Sequence, residues 1–147
     1  MTKNKNPILE YWQLIEAGKV VVSDKVRRVY RKLTFDLFNK DSEWEYSEAR
    51  ANHAIEFVER YCRHSKGKWG GRPFVMSLWQ KAMTAALFGF VHKIDRVRKY
   101  RELILIVARK NGKSTWASAI ALYMLMADGE PGPEVVSVAT KRDQAKI

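Results

Sequence analysis

Apolar positions recur at helical spacing through the first part of this 147-residue chain and then run together in continuous blocks. Asn6-Pro7 predicts the start of a short helix, because the fixed φ and missing N–H of proline suit a first helical turn, and Gly18 closes it. Ser23 can cap a second helix, in which Val26, Val29, Tyr30, Leu33, Leu37 and Phe38 share one side. A third begins near Ser47, with Ala51, Ala54, Ile55, Val58, Tyr61 and Cys62 along one face. HSKGKWGGRP (His64–Pro73) then breaks the pattern with three glycines and a proline. The pattern predicts a helical segment over residues 1–66 and a second unit over 67–147.

Beyond that break the texture changes. PFVMSLWQKAMTAALFGF predicts an extended lead-in and a helix capped by Ser77, burying Trp79, Met83, Ala86, Leu87 and Phe90. RELILIVA is a continuous branched run, the mark of a strand buried on both faces. A helix after Gly112 and a second buried strand in PGPEVVSVAT complete a right-handed, parallel βαβ unit, so the expected class is α/β. Thr140-Lys141-Arg142-Asp143 resembles a capping box for one more helix. Two parallel strands leave most of a sheet uncovered, so the expectation is a truncated parallel sheet in the front portion of a longer protein.

Between the two blocks lies LILIVARKNGKSTWASAIALYMLMADG, from Leu103 to Gly129. Asn111-Gly112 alone is a hairpin signal, but a hairpin needs a strand on both sides. The following segment is rich in helix formers, spaces Ala117, Ile120, Ala121, Met124 and Leu125 helically, and stops at Asp128-Gly129. Strand, basic loop, Gly-Lys-Ser and helix is the context of a phosphate-binding loop, although Val107 stands where G-x-x-x-x-G-K-[ST] has its first glycine. Backbone N–H groups and the dipole at a helix start attract phosphate whatever residue begins the loop. Gly112 permits close approach, Lys113 places charge at the β- and γ-phosphates, and the Ser114 hydroxyl can ligate Mg2+. Arg109 either offsets charge developing on the γ-phosphate, touches phosphate without catalytic effect, or faces solvent. The candidate site is thus Arg109, Lys110, Asn111, Gly112, Lys113, Ser114 and Thr115, with Arg109 and Lys113 catalytic and Ser114 on the metal.

Composition narrows the partners. Apolar content of 46% excludes a disordered chain. A net charge of +11 favours polyanions, with basic clusters at Arg27–Lys32, Arg96–Arg101 and Arg109–Lys113. The first cluster reads equally as a solvated face or as a DNA-tracking surface. Cys62 is the single cysteine and sits on an apolar face, and His53, His64 and His92 show no metal-ligand spacing. Apolar stretches fall short of the roughly 20 residues that span a bilayer, and no signal peptide opens the chain, so a soluble, intracellular protein without membrane contact is expected.

VARKNGKSTWASAIALYML together with DGEPGPEVVSVATKRDQAKI resembles the ATPase motor of tailed-bacteriophage terminase large subunits. The loops of that family lack the first glycine and carry an internal arginine. KGKWGGRPFVMSLWQ is similar to the segment with which these proteins hold adenine, which implies Phe74 and Trp79 around the base and Gln80 on its edge. Core packing explains the two aromatic residues as well, and a surface place on its helix explains Gln80. Gln144 resembles a position that couples nucleotide state to DNA, or is an exposed helix residue. NPILEYWQLIEAGKVVVSDKVRRVYRKLTFDL is similar to the family's helical leader. The resemblance implies a P-loop NTPase fold, ATP and Mg2+, and a motor driving double-stranded DNA into a procapsid. It also implies a homo-oligomer when intact, portal and small-subunit partners, a place in the host cytoplasm, and a separate C-terminal endonuclease. The family's acidic second motif, coupling motif and nuclease carboxylates have no counterpart in this sequence, so efficient ATP turnover by this chain alone is not expected. Another helicase-like ATPase, a kinase, or a basic DNA-binding helical module are the competing classes.

Overall fold

The structure, a computed structural model, describes residues 6–65 and 67–138. Its elements in order are α1 Pro7–Glu16, α2 Asp24–Phe38, β1 Trp44–Tyr46, α3 Glu48–Tyr61, α4 Leu78–Gly89, β2 Phe90–His92 and α5 Lys113–Met126. A single 3-10 turn, Gly67–Trp69, lies between α3 and α4. The helix starts follow their local signals. Asn6 Oδ1 accepts the Ile8 N–H at 2.9 Å ahead of α1, and Ser23 Oγ accepts the Val26 N–H at 3.4 Å ahead of α2. Gln80 Oε1 accepts the Ser77 N–H at 2.9 Å, fixing the first turn of α4 from the opposite direction. Among the described residues no helix is long and apolar enough to cross a membrane.

The described residues fall into two compact units. The first takes residues 6–55 and 76–104. Here α1 packs on α2 and α4. Strands β1 and β2 pair antiparallel in the register Trp44↔His92, Glu45↔Val91 and Tyr46↔Phe90. The core includes Ile8, Ile15, Ala82, Ala85, Phe88, Phe90 and Val91. Tyr46 meets Phe90 edge-on with centroids 5.2 Å apart. A Cβ at Gly89 would fall 2.4 Å from Tyr46 Cε2, so only glycine fits under that ring.

One carboxylate is buried in this unit. Asp36 Oδ2 accepts from Lys32 Nζ at 2.9 Å and from Lys99 Nζ at 2.8 Å. Burial by itself raises the Asp36 carboxyl, but the bonds and charges of Lys99 and Lys32 outweigh it and hold it below the usual carboxylate range. The neighbouring Tyr100 hydroxyl is pushed up to about 12, first by burial and then by the Asp36 charge.

The second unit takes residues 56–75 and 105–138. Its loop after α3 is closed by bonds from His64 N–H to Arg72 O at 2.9 Å, Gly71 N–H to His64 O at 2.8 Å and Phe74 N–H to Cys62 O at 3.0 Å. On α5, Trp116, Ala119, Ile120 and Tyr123 are buried, and the Tyr123 ring meets Phe57 with centroids 5.4 Å apart.

Several expectations are corrected. The α3 face is as read except for Tyr61, which is exposed. On α2, Tyr30 and Leu33 are buried while Val26, Val29 and Phe38 are exposed. On α4 the buried residues are Gln80, Ala82, Thr84, Ala85 and Phe88, with Trp79, Met83, Ala86 and Leu87 half-buried. On α5 the stripe turns to 116, 119, 120 and 123, leaving Ala117 and Leu125 exposed and Ala121 and Met124 half-buried. Both helices are apolar nearly all round, so periodicity could not choose the packed face.

The parallel sheet does not form. Residues 103–108 and 133–138 contain no strand, and Ile104, Ile106 and Val138 are 85%, 92% and 87% exposed. The observed sheet is two-stranded and antiparallel, so the α/β class stands while the parallel βαβ unit is absent among the described residues. An apolar run becomes a strand only when its N–H and C=O groups find a ladder, and neither run has one here. The expected helix at Thr140, and Gln144, lie outside the described residues.

Candidate functional site: the start of α5

Asn111-Gly112 leads into a helix, which removes the hairpin reading. The turn before it is held by the Asn111 side chain, whose Nδ2 donates to Ala108 O at 3.2 Å and Arg109 O at 3.3 Å. Lys110 takes φ 68° and Gly112 φ 71°, both in the left-handed region. For lysine that geometry costs about 1–2 kcal/mol, and glycine adopts it freely. The first helical bond runs from Trp116 N–H to Gly112 O at 3.0 Å. Gly112, as N-cap, brings no side chain to the amides of Lys113, Ser114 and Thr115.

The result is a helix start with orphan donors, the positive end of its dipole, and three added cations, Arg109, Lys110 and Lys113. Arg109, Lys110, Asn111, Gly112 and Ser114 are exposed, and Lys113 and Thr115 are half-buried. One turn further on, Trp116 is 3% exposed and anchors the helix. Donors and cations facing water from an anchored helix fit an anion such as a phosphate.

The three residues expected around a base are differently placed. Phe74 is buried, edge-on to His64 at 5.2 Å, in the same unit as residues 109–115. Trp79 and Gln80 belong to the other unit. Gln80 is 4% exposed, so it is not a surface residue, and its Oε1 already accepts from both Ser77 N–H and Ser77 Oγ.

The basic clusters separate on inspection. Arg27 pairs with Glu16, Lys32 and Lys99 with Asp36, and Arg96 with Glu45, so these charges are matched internally. Trp69, in the loop after α3, is not among the residues expected at a site. An open pocket of about 410 Å3 lies there, lined by His64, Trp69, Arg72, Pro73 and Val75. Its signal was a tryptophan between basic residues in a glycine-rich turn, a stretch that marks a boundary and also falls in the segment similar to an adenine-holding one.

Comparison with known proteins adds two findings. Residues 78–147 match the family described as terminase large subunit, ATPase domain. Over 99 residues the chain is 32% identical to the terminase large subunit of Enterobacteria phage HK97, an alignment covering 67% of this chain and 18% of that protein. The chain therefore spans less than a fifth of that relative's length. No solved structure matches the chain.

Proposed function

Because the chain belongs to the terminase large-subunit ATPase family, we propose that it supplies the phosphate-gripping segment of a viral DNA-packaging motor. The observation that carries this reading is the start of α5, uncapped and entered through left-handed Lys110 and Gly112. In this reading the amides of Lys113, Ser114 and Thr115 donate to the phosphates of ATP, and Lys113 adds a point charge. The Ser114 hydroxyl is an oxygen donor suited to Mg2+, which would neutralise phosphate charge when bound. Arg109, exposed on the same turn, is the group to stabilise charge developing at the terminal phosphate. Phe74, in the same unit as this turn, would approach the base.

The same proposal extends to the intact protein. ATP use there would move double-stranded DNA into a procapsid in the host cytoplasm, with portal and small-subunit partners and a homo-oligomeric motor. Titration of the chain with a fluorescent ATP analogue in Mg2+ tests the first step. Saturable binding that falls at least tenfold in Lys113→Ala, with helicity unchanged, is expected. Equal binding by the two proteins rejects the site.

A further inference from the structure

The second unit carries an aromatic and cationic surface that the start of α5 does not use. Trp69 is 49% exposed, with Lys68 Nζ 5.3 Å and Arg72 Cζ 5.1 Å from its ring centroid. Cations at that range are held by the ring's quadrupole. At the foot of the loop, Arg60 Cζ lies 5.7 Å from the ring centre of exposed Tyr61. The bridge between Arg63 and Pro73, and the bond from His64 N–H to Arg72 O, draw the end of α3 beside residues 72 and 73. The Arg60–Tyr61 pair, at the end of α3, thus lies at the foot of the loop that carries Trp69.

Residues 67–72 of that loop are tied by their own backbone bonds. Gly67 and Gly71 take φ 73° and 77°, and Gly70 N–H and Arg72 N–H bond back to Gly67 O and Trp69 O at 2.9 and 3.0 Å. From Arg60 to Val75 the sequence holds no Asp or Glu. Among the described residues no carboxylate pairs with Lys68 or Arg72, in contrast to Arg27, Lys32, Arg96 and Lys99. Cations steadied by an indole and left without a counter-ion are arranged for an external polyanion. The exposed rings between them suit bases or sugars lying along a phosphate backbone.

We propose that Lys68, Trp69 and Arg72 form a nucleic-acid contact, the two cations on backbone phosphates and the indole holding them in place. The contact shares no residue with 109–115 and stands without the nucleotide reading.

The test is fluorescence anisotropy of the whole chain with a labelled oligonucleotide, single-stranded in one arm and duplex in the other, over a range of salt. In Lys68→Gln/Arg72→Gln the slope of log K against log salt should shrink by about 1.8 for duplex or about 1.4 for a single strand. The arm showing its full drop identifies the strand form. Trp69→Ala should weaken binding about tenfold, and Trp69→Phe, which keeps a ring, by less. Lys25→Gln/Arg28→Gln, at exposed positions on α2, should change the slope by less than half as much. Lys113→Ala should bind the oligonucleotide as the parent does, which separates this contact from the proposed ATP site. An unchanged slope in the loop variant, an equal change in the α2 variant, or full affinity in Trp69→Ala overturns the proposal.

Discussion

Replacing Gly89 by alanine asks whether the β1–β2 ribbon is locked onto the end of α4 by one aromatic ring. The new Cβ would lie 2.4 Å from Tyr46 Cε2, 3.0 Å from Cδ2 and 3.1 Å from Cζ. Carbon atoms attract at about 3.5–4.0 Å, so something must retreat by about 1 Å. If the ring swings away, it gives up its edge contact with Phe90, about 0.5–1.5 kcal/mol. If the end of α4 retreats instead, the 2.7 Å bond from Ser47 N–H to Gly89 O weakens, about 1 kcal/mol. Alanine recovers a few tenths of a kcal/mol through its helix preference at this last helical position. The expected net loss is about 1–2 kcal/mol, within the usual range for overpacking. With a urea m-value of about 2 kcal/mol/M, the unfolding midpoint should fall by about 0.5–1 M. In a Tyr46→Leu background the same substitution should cost under about 0.5 kcal/mol, a coupling of about 1 kcal/mol. A midpoint that stays or rises, or an equal loss with and without the ring, refutes the reasoning.

Asp36→Asn should destabilise the protein by about 1–3 kcal/mol at pH 7, because it discharges the acceptor shared by Lys32 and Lys99. Since the folded carboxyl titrates below its unfolded value of about 3.9, its contribution is complete above that pH and is lost as pH falls through the folded pKa. Urea midpoints of parent and variant should therefore draw together as pH falls below about 3.9, and a gap that does not narrow in acid rejects the pairing. Gln80→Ala removes the acceptor for Ser77 N–H and Oγ and should cost about 1 kcal/mol of stability even without nucleotide. An unchanged midpoint would show that the side chain does not hold the start of α4.

Local signals were readable and distant ones were not. Asn6, Ser23 and Ser77 marked helix starts because a cap involves only residues two or three positions away. Gly112 and Lys113 were readable for the same reason, since the backbone turn and the helix start are made within a few residues. The α3 face was legible because polar residues cover its other side, whereas α4 and α5 carry apolar residues all round. The Lys32–Asp36 pair lies four residues apart, but Lys99 reaches the same carboxylate from 63 positions away, which no local pattern records. Three-residue strands are too short to display alternation, and the long apolar runs at 103–108 and 133–138 promised pairing that depends on partners elsewhere. Trp69 was missed because its meaning depends on how Gly67 and Gly71 bend the loop.

The unladdered run LILIV, Leu103 to Val107, bears on how this polypeptide behaves in solution. Five consecutive uncharged, strand-favouring residues without proline, with Ile104 and Ile106 outward, have the makeup of a cross-β seed. Arg101 and Glu102 precede it and Arg109 and Lys110 follow closely, so charged gatekeepers flank it. Two of those four guards, Arg109 and Lys110, are also cations of the candidate phosphate site. An anion that neutralises them weakens the repulsion keeping copies apart, which ties colloidal behaviour to occupancy of the nearby helix tip.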